Sequence, residues 1–212
     1  MEHMSEKKHA AFFPYTQADL ASLKKKDKKL AAVIERYGMI EREINRDLFA
    51  ALVGSIISQQ ISGKAADTVE NRLVALCGEI TPYHIHVTEL SAIQKCGMSM
   101  RKAQYIKAAS EAVYAGSIDL SSLEAMSDKD IIGLLSSLPG IGVWTAEMLL
   151  IFSLGRMDVL SYGDLAIRRG LCKLYGHKSL TKEQFARYKK RYAPYGSIAS
   201  LYLWKLSVES SF

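Results

Sequence analysis

The amino-acid sequence predicts an all-α protein. Apolar residues recur at helical spacing along the whole chain, and no segment alternates between apolar and polar residues over the length of a strand. Of the 212 residues, 49% are apolar. A chain of this size buries roughly 70% of its unfolded surface, so packing can stabilise it without disulfides or a metal. One compact domain, or two small lobes sharing a core, is expected.

The predicted helices follow one another with connections of a few residues. Thr16 and Asp19 form an N-terminal capping signal for the first, which is expected to run to Tyr37 and to end at Gly38. Glycine, serine and proline separate the later segments. We expect helices at about 16–37, 48–57, 63–76, 89–95, 100–114, 128–136, 142–153, 164–175, 181–192 and 197–209.

Positive charge is concentrated at one end of the chain. The chain carries 28 Lys and Arg against 22 Asp and Glu, a net charge of +6. Residues 165–212 contain ten basic residues and only two acidic ones, Glu183 and Glu209, so the net charge of this segment is +8. The remaining 164 residues therefore have a net charge of −2. Such a segment indicates a polyanionic partner, nucleic acid first, although a solvated basic face is an open alternative. The run Lys24–Lys29 is open to the same two interpretations.

Cysteine and histidine usage indicates neither a disulfide framework nor a zinc site. The three cysteines are Cys77, Cys96 and Cys172, with no CxxC spacing, so free thiols in a reducing compartment are expected. His84 and His86 are expected at the surface. Residues 1–11 contain no signal-peptide core, and no stretch approaches about 20 apolar residues. We expect a cytoplasmic protein with no membrane partner.

The segment 136–146 predicts a phosphate-binding turn between two helices. Pro139 ends the first helix, and Gly140 and Gly142 permit backbone conformations and close approaches that a Cβ atom would block. Ile141 lies between them and can anchor the turn in the core. The turn leads directly into a helix N-terminus, where backbone N–H groups and the positive end of the helix dipole attract an anion.

This segment resembles the helix-hairpin-helix element, which binds DNA backbone phosphates without reading sequence. The resemblance implies phosphate contacts at Gly140, Ile141, Gly142 and Thr145. It also implies a Na⁺ or K⁺ ion held by the backbone carbonyls of Ser136, Leu138 and Ile141. A glycine-rich turn that binds nothing is the alternative.

Asp164 follows the hairpin by one helix and a short loop. It precedes a helical pattern, so its carboxylate is expected to cap that helix. A hairpin, an apolar helix and an aspartate at this distance resemble the helix-hairpin-helix (HhH-GPD) DNA glycosylases of base-excision repair, whose catalytic carboxylate occupies this position. The two roles are compatible because a helix N-terminus holds a carboxylate ionised and oriented.

Three further stretches, 49–65, 96–106 and 193–204, resemble the 3-methyladenine DNA glycosylase II branch of that superfamily. The resemblance implies that Gln60, with Gln59 beside it, is the wedge that enters DNA. It implies a base pocket formed by Trp144, Met148 and Tyr195. An exposed helix-end glutamine and ordinary core residues are the alternatives.

Departures from the family pattern define the expected subclass. Trp144 stands where bifunctional members carry a lysine, so a monofunctional enzyme without lyase activity is expected. No cysteine follows Cys172, so no iron–sulfur cluster is expected. The family core begins near residue 45, which predicts a minimal form without the additional N-terminal α/β domain. No cofactor is expected to be required.

The resemblance implies a two-lobed fold with the active site in the cleft between the lobes. We expect an N-terminal segment 1–44 that packs with the C-terminal lobe, a central lobe 45–155 ending in the hairpin element at 128–153, and a basic C-terminal lobe 156–212. The expected partner is double-stranded DNA with a damaged base, the expected substrate is an alkylated purine, and the expected state is a monomer. Enzymes for deaminated or oxidised bases and a non-catalytic DNA-binding module are the alternatives.

Overall fold

The structure is a computed structural model that describes residues 11–209. Residues 1–10, where the absence of a signal peptide was predicted, lie outside this range. Helices account for most of the described residues, which confirms the predicted fold class. The α-helices are α1 Gln17–Lys26, α2 Lys28–Tyr37, α3 Leu48–Ser58, α4 Gly63–Cys77, α5 Pro82–Val87, α6 Leu90–Lys95, α7 Met100–Tyr114, α8 Asp128–Ser136, α9 Val143–Phe152, α10 Leu165–Tyr175, α11 Lys182–Tyr192 and α12 Gly196–Ser207. None of these described helices is long and apolar enough to cross a bilayer.

The chain divides into two compact units. In the described range, unit 1 comprises 11–44 and 150–209, and unit 2 comprises 45–149. The division falls within α9, whereas the sequence predicted it in the following loop, after residue 155.

Unit 1 has α10 and α12 in close contact at its centre. A Cβ atom on Gly170 of α10 would lie only 2.9 Å from the carbonyl carbon of Leu203, so these two helices approach backbone to backbone. Tyr192 of α11 and Tyr202 of α12 are fully buried. Because α12 approaches it so closely, α10 requires glycine at position 170 for packing and not for its backbone conformation.

The first predicted helix is two helices, because the chain turns at Asp27. This residue is extended, with φ −151°, and its Oδ1 accepts a 2.9 Å hydrogen bond from the Leu30 N–H at the start of α2. Its side chain is buried, so the carboxylate caps α2 instead of pointing into solvent. The sequence prediction of one continuous helix was wrong here, since helical periodicity continues in phase across the junction.

Two short elements of unit 1 form an antiparallel pair that the sequence did not predict. Strand β1, Ala11–Phe12, pairs with β2, Glu43–Ile44, and Ala11 faces Ile44. Strands of this length contain too few residues to show an alternating pattern.

Unit 2 contains α3 to α8 and most of α9. The observed bounds of α7 and α8 equal the predicted ones, and Ser99 and Ser127 cap their N-termini. Helix α5 and a 3-10 helix at Leu120–Ala125 were not predicted because each is too short for a periodic signal.

Candidate active site and nucleic-acid interface

The hairpin turn in unit 2 connects α8 to α9 through short backbone hydrogen bonds. The Leu138 N–H donates to Leu135 O, and the Ile141 N–H donates to Leu138 O, both at 3.1 Å. The Ile141 side chain is only 4% exposed. Ile141 therefore anchors the turn in the core, as its position between two glycines suggested.

The two hairpin glycines have different physical roles. Gly140 has φ +84°, and a Cβ atom there would lie 2.7 Å from Cγ of Tyr105, inside that ring's contact distance. Gly142 has no such backbone requirement, and a Cβ atom there would meet nothing within 4 Å. Only Gly140 is required by backbone and packing, whereas Gly142 leaves the outer surface of the turn open to a close approach.

The start of α9 combines exposed and buried side chains. Val143 and Trp144 are 56% and 47% exposed, and Met148 is half-buried one turn after Trp144. Thr145, by contrast, is 7% exposed, so its side chain belongs mainly to the core. A phosphate at this turn would be bound mainly by backbone N–H groups.

Backbone carbonyls near the turn fit the expected monovalent cation site in chemistry. Leu138 O already accepts from the Ile141 N–H, but a carbonyl oxygen has a second lone pair. Within residues 11–209 the buried Ser136 Oγ has no hydrogen-bond partner. An unsatisfied buried oxygen in the same stretch of chain is the kind of atom that a bound ion satisfies.

The expected wedge glutamines follow the C-terminus of α3 and differ in their environments. Gln60 is exposed and has φ +59°, the one positive φ among the described non-glycine residues. Gln59 is half-buried, and its Nε2 donates a 2.8 Å hydrogen bond to Gly140 O. Gln60 is thus available to a partner, whereas Gln59 is bound to the hairpin turn.

Helix α7 supports both of these loops. Lys102 Nζ donates hydrogen bonds of 2.8 Å to Ile57 O and 2.6 Å to Gln59 O, so it caps the end of α3. Burial lowers the pKa of this lysine. The Tyr105 ring packs beneath Gly140. Sequence reasoning found the stretch 96–106 only as a family resemblance, and its supporting role is visible only in three dimensions.

Asp164 lies in unit 1 and caps α10, as predicted. It is 7% exposed, and its Oδ1 accepts a 2.8 Å hydrogen bond from the Ile167 N–H. The loop before it is held by the first turn of α12, where Ser197 Oγ accepts from the Val159 N–H at 2.9 Å and donates to Arg156 O at 2.6 Å. The carboxylate is therefore held at the N-terminus of α10, and the chain a few residues before it is anchored to α12.

Aromatic residues with basic neighbours occur in the same unit. Arg168 and Lys182 lie over the Tyr162 ring, at 5.2 and 5.9 Å from its centroid. Tyr195 is half-buried at the N-cap of α12. Phe152 stacks on Trp204 at 5.4 Å, a pair that the sequence analysis did not select. The signal for Trp204 was its place in the stretch 193–204.

The predicted site residues are divided between the units. Trp144, Met148 and the hairpin belong to unit 2, whereas Asp164 and Tyr195 belong to unit 1.

Comparison with known proteins agrees with the resemblance seen in the sequence. A family profile described as "HhH-GPD superfamily base excision DNA repair protein" matches residues 53–194. The "DNA-3-methyladenine glycosylase 1" of Schizosaccharomyces pombe is 32% identical over 95% of this chain and 92% of its own length.

Solved structures show the same relationship. A DNA-3-methyladenine glycosidase from Bacillus halodurans has a TM-score of 0.84 and 35% identity, over 93% of each chain. The S. pombe 3-methyladenine DNA glycosylase in complex with abasic DNA has a TM-score of 0.79 and 32% identity, over 92% of this chain and 99% of that one.

Proposed function

Because the chain belongs to the HhH-GPD superfamily of base excision DNA repair proteins, we propose that it is a monofunctional DNA glycosylase. It removes a damaged base from duplex DNA by hydrolysing the N-glycosidic bond, and its substrate is an alkylated purine such as 3-methyladenine. The observation that carries this proposal is the buried Asp164 carboxylate, oriented at the N-terminus of α10. The named relatives support the choice of substrate.

Asp164 acts on the sugar. Loss of the base passes through an oxocarbenium-like sugar with positive charge near C1′, which a fixed carboxylate stabilises. The hydrogen bond from the Ile167 N–H fixes the orientation of this carboxylate at the N-terminus of α10. Asp164 also accepts a proton from the attacking water as general base.

Gln60 fills the space that the damaged base leaves. An enzyme cannot reach a base inside the stack, so the base is flipped out at a cost of a few kcal/mol. The exposed side chain of Gln60, on a loop braced by Lys102, suits insertion into the duplex. Gln59 supports this insertion through its bond to Gly140.

The hairpin holds the backbone of the same duplex. The N–H groups of Gly140, Gly142 and Thr145 belong to the turn and the start of α9, where the helix dipole adds positive potential. The Ile141 N–H is bonded to Leu138 O, so Ile141 contributes by fixing the turn and not as a phosphate donor. A Na⁺ or K⁺ ion on the carbonyls of Ser136, Leu138 and Ile141 would add positive charge toward a phosphate oxygen. No other cofactor, and no iron–sulfur cluster, is part of the proposal.

Substrate choice rests on aromatic surfaces and on the chemistry of the base. Trp144, with Met148 one turn later in unit 2, and Tyr195 in unit 1 are the residues assigned to the base. On an aromatic face a positively charged alkylated ring gains cation–π stacking that a normal base lacks. A charged base is also a better leaving group, so a permissive pocket suffices. The position of Trp144 offers no amine for a Schiff base, which supports hydrolysis without lyase activity.

Release of free base from methylated duplex DNA tests the proposal. Asp164→Asn keeps a helix-capping side chain, so the variant is expected to fold and to bind abasic DNA normally. Its single-turnover excision rate should fall by about 10²–10³-fold or more. Normal excision by the variant would refute the catalytic assignment. If the protein excised only deaminated or oxidised bases from a substrate panel, the substrate assignment would change to that class of base. If the unaltered protein bound DNA but excised no base, it would be a non-catalytic DNA-binding module.

A further inference from the structure

A cluster of basic side chains lies where α1 meets α2 and where α10 and α11 end. We call it the basic junction surface. It comprises the exposed residues Lys25, Lys26, Lys28, Lys29, Lys178, Arg187, Lys189 and Lys190.

Asp27 brings these three parts of the chain together. Its Oδ2 accepts hydrogen bonds from Arg191 at 2.8 Å and from the Tyr175 hydroxyl at 2.5 Å. Lys29 Nζ lies 5.6 Å from the centre of the Tyr175 ring, and the Arg191 guanidinium lies 5.9 Å from it. The lysine run at the end of α1 and the start of α2 and the basic end of α11 are therefore neighbours, although they are far apart in sequence.

The acidic groups nearby neutralise only part of this surface. The exposed Glu183 lies one turn before Arg187 on α11 and interacts with it electrostatically. Asp27 is buried and paired with Arg191, and Glu35 pairs with Lys24 at 3.0 Å. Among residues 11–209 no carboxylate forms an ion pair with any of the eight members of the surface. Their charges consequently add to one positive potential facing solvent.

Two other basic residues of the C-terminal segment are engaged in structural contacts. Lys173 Nζ donates to the carbonyls of Leu206, Ser207 and Glu209 at the end of α12, at 3.3, 2.7 and 2.6 Å. Arg168 is half-buried against Tyr162. Four exposed basic residues of this segment, Lys178, Arg187, Lys189 and Lys190, belong to the junction, whereas Arg169, Lys182 and Lys205 are exposed elsewhere.

We propose that the basic junction surface binds the phosphate backbone of duplex DNA, independently of sequence and of damage. This contact goes beyond the proposed glycosylase site, since it uses none of the residues assigned to excision. Flexible lysines suit phosphates as point charges and carry no base specificity. A membrane surface fits less well, because the large exposed apolar side chains lie outside α1, α2 and α11, and interfacial binding requires such side chains.

A pair of matched double variants tests the proposal. Lys28→Gln/Lys190→Gln removes two charges from the surface, and Lys95→Gln/Arg46→Gln removes two exposed charges from unit 2, outside the hairpin element. Both lower the net charge by two, from +6 to +4. Lysine, arginine and glutamine have similar helix propensities, so folding should be preserved in both.

Binding of an undamaged duplex is measured over a range of salt concentrations. For the junction variant we expect the slope of log K against log salt to fall by up to about 1.8, because each lost phosphate contact contributes about 0.9. We expect roughly tenfold weaker binding at low salt, and a smaller change in the control. Single-turnover excision at saturating enzyme should be unchanged in both variants, which separates this proposal from the glycosylase assignment.

Two outcomes would overturn the proposal. Equal losses in the junction and control variants would mean that net charge, not this surface, governs DNA binding. Unchanged DNA binding together with lost binding to phosphatidylserine vesicles would assign the surface to a membrane. If the unaltered protein excises no base but the junction variant still loses duplex affinity, the surface stands while the glycosylase proposal fails.

Discussion

The side-chain amide of Gln59 donates a 2.8 Å hydrogen bond to the carbonyl oxygen of Gly140 across 81 positions of sequence. This bond joins the loop after α3, which presents Gln60, to the hairpin turn between α8 and α9. The two loops to which we assign base-stack and phosphate contacts therefore share a support within unit 2. Displacement of one is expected to displace the other.

Gln59→Ala removes this support. Loss of a hydrogen bond to a half-buried carbonyl should lower the free energy of unfolding by about 1 kcal/mol. The Kd for an abasic duplex should rise roughly fivefold or more, since both DNA-binding loops lose a restraint. Gln104→Ala, at an exposed position on α7, is the control and should change neither quantity. A Kd unchanged from that of the original protein would argue that the bond has no part in binding.

Alanine at the two hairpin glycines should affect different properties, stability at position 140 and DNA affinity at position 142. Gly140→Ala forces a positive φ on a non-glycine residue and drives its Cβ atom into the Tyr105 ring, so the free energy of unfolding should fall by about 2–4 kcal/mol. Gly142→Ala meets no neighbour, so stability should change by less than about 1 kcal/mol. Its affinity for an abasic duplex should nevertheless fall, because the added methyl group occupies the open surface of the turn.

Chemical denaturation and duplex titration of both variants check this pair. Tyr105→Ala in the Gly140→Ala background should restore part of the lost stability by removing the overlap. Equal stability of the two single variants would contradict the distinction, as would a Gly142→Ala variant that binds DNA normally.

Stability in acid should depend on Asp27. Burial acts to raise the pKa of this carboxyl, but hydrogen bonds from Tyr175, Leu30 and Arg191 outweigh it and place the pKa below the ordinary 3.8. Its contribution is therefore fully present above pH 3.8 and is lost as the pH falls through the lower folded-state value. Asp27→Asn should cost about 2–4 kcal/mol of unfolding free energy at neutral pH.

Urea denaturation across the acidic range measures this effect. The gap between the original protein and Asp27→Asn should narrow as the pH falls below 3.8. Glu79→Gln, which alters an exposed carboxylate, serves as the control and should run parallel to the original protein. A gap that stays constant in acid would show that Asp27 stabilises unit 1 without its charge.

Borohydride reduction tests the absence of lyase chemistry. A bifunctional glycosylase forms a Schiff base between an amine and the sugar, which borohydride converts into a stable adduct. Trp144 provides no amine, so no trapped protein–DNA adduct is expected on a denaturing gel, whereas a lysine-dependent glycosylase in the same assay should give one. A trapped adduct would identify another amine as nucleophile.

Local signals in the sequence were sufficient for much of the fold. Serine caps and apolar periodicity predicted the bounds of α7 and α8. Asp164 was predicted as an N-cap because a helical pattern follows it in the sequence. Short elements were missed because periodicity needs more than one turn to register. The break at Asp27 was missed because both sides of it are helical.

The sequence by itself determined the all-α class, the superfamily, the hairpin and the candidate catalytic aspartate, because each depends on residues close together in the chain. Only the tertiary structure decided that Gln59 braces the hairpin, that Tyr105 requires glycine at position 140, and which lysines remain free. Such contacts join residues far apart in sequence, as Arg191 and Asp27 show across 164 positions. Hydrophobic period and composition carry no information about those pairings, which depend on how the helices pack.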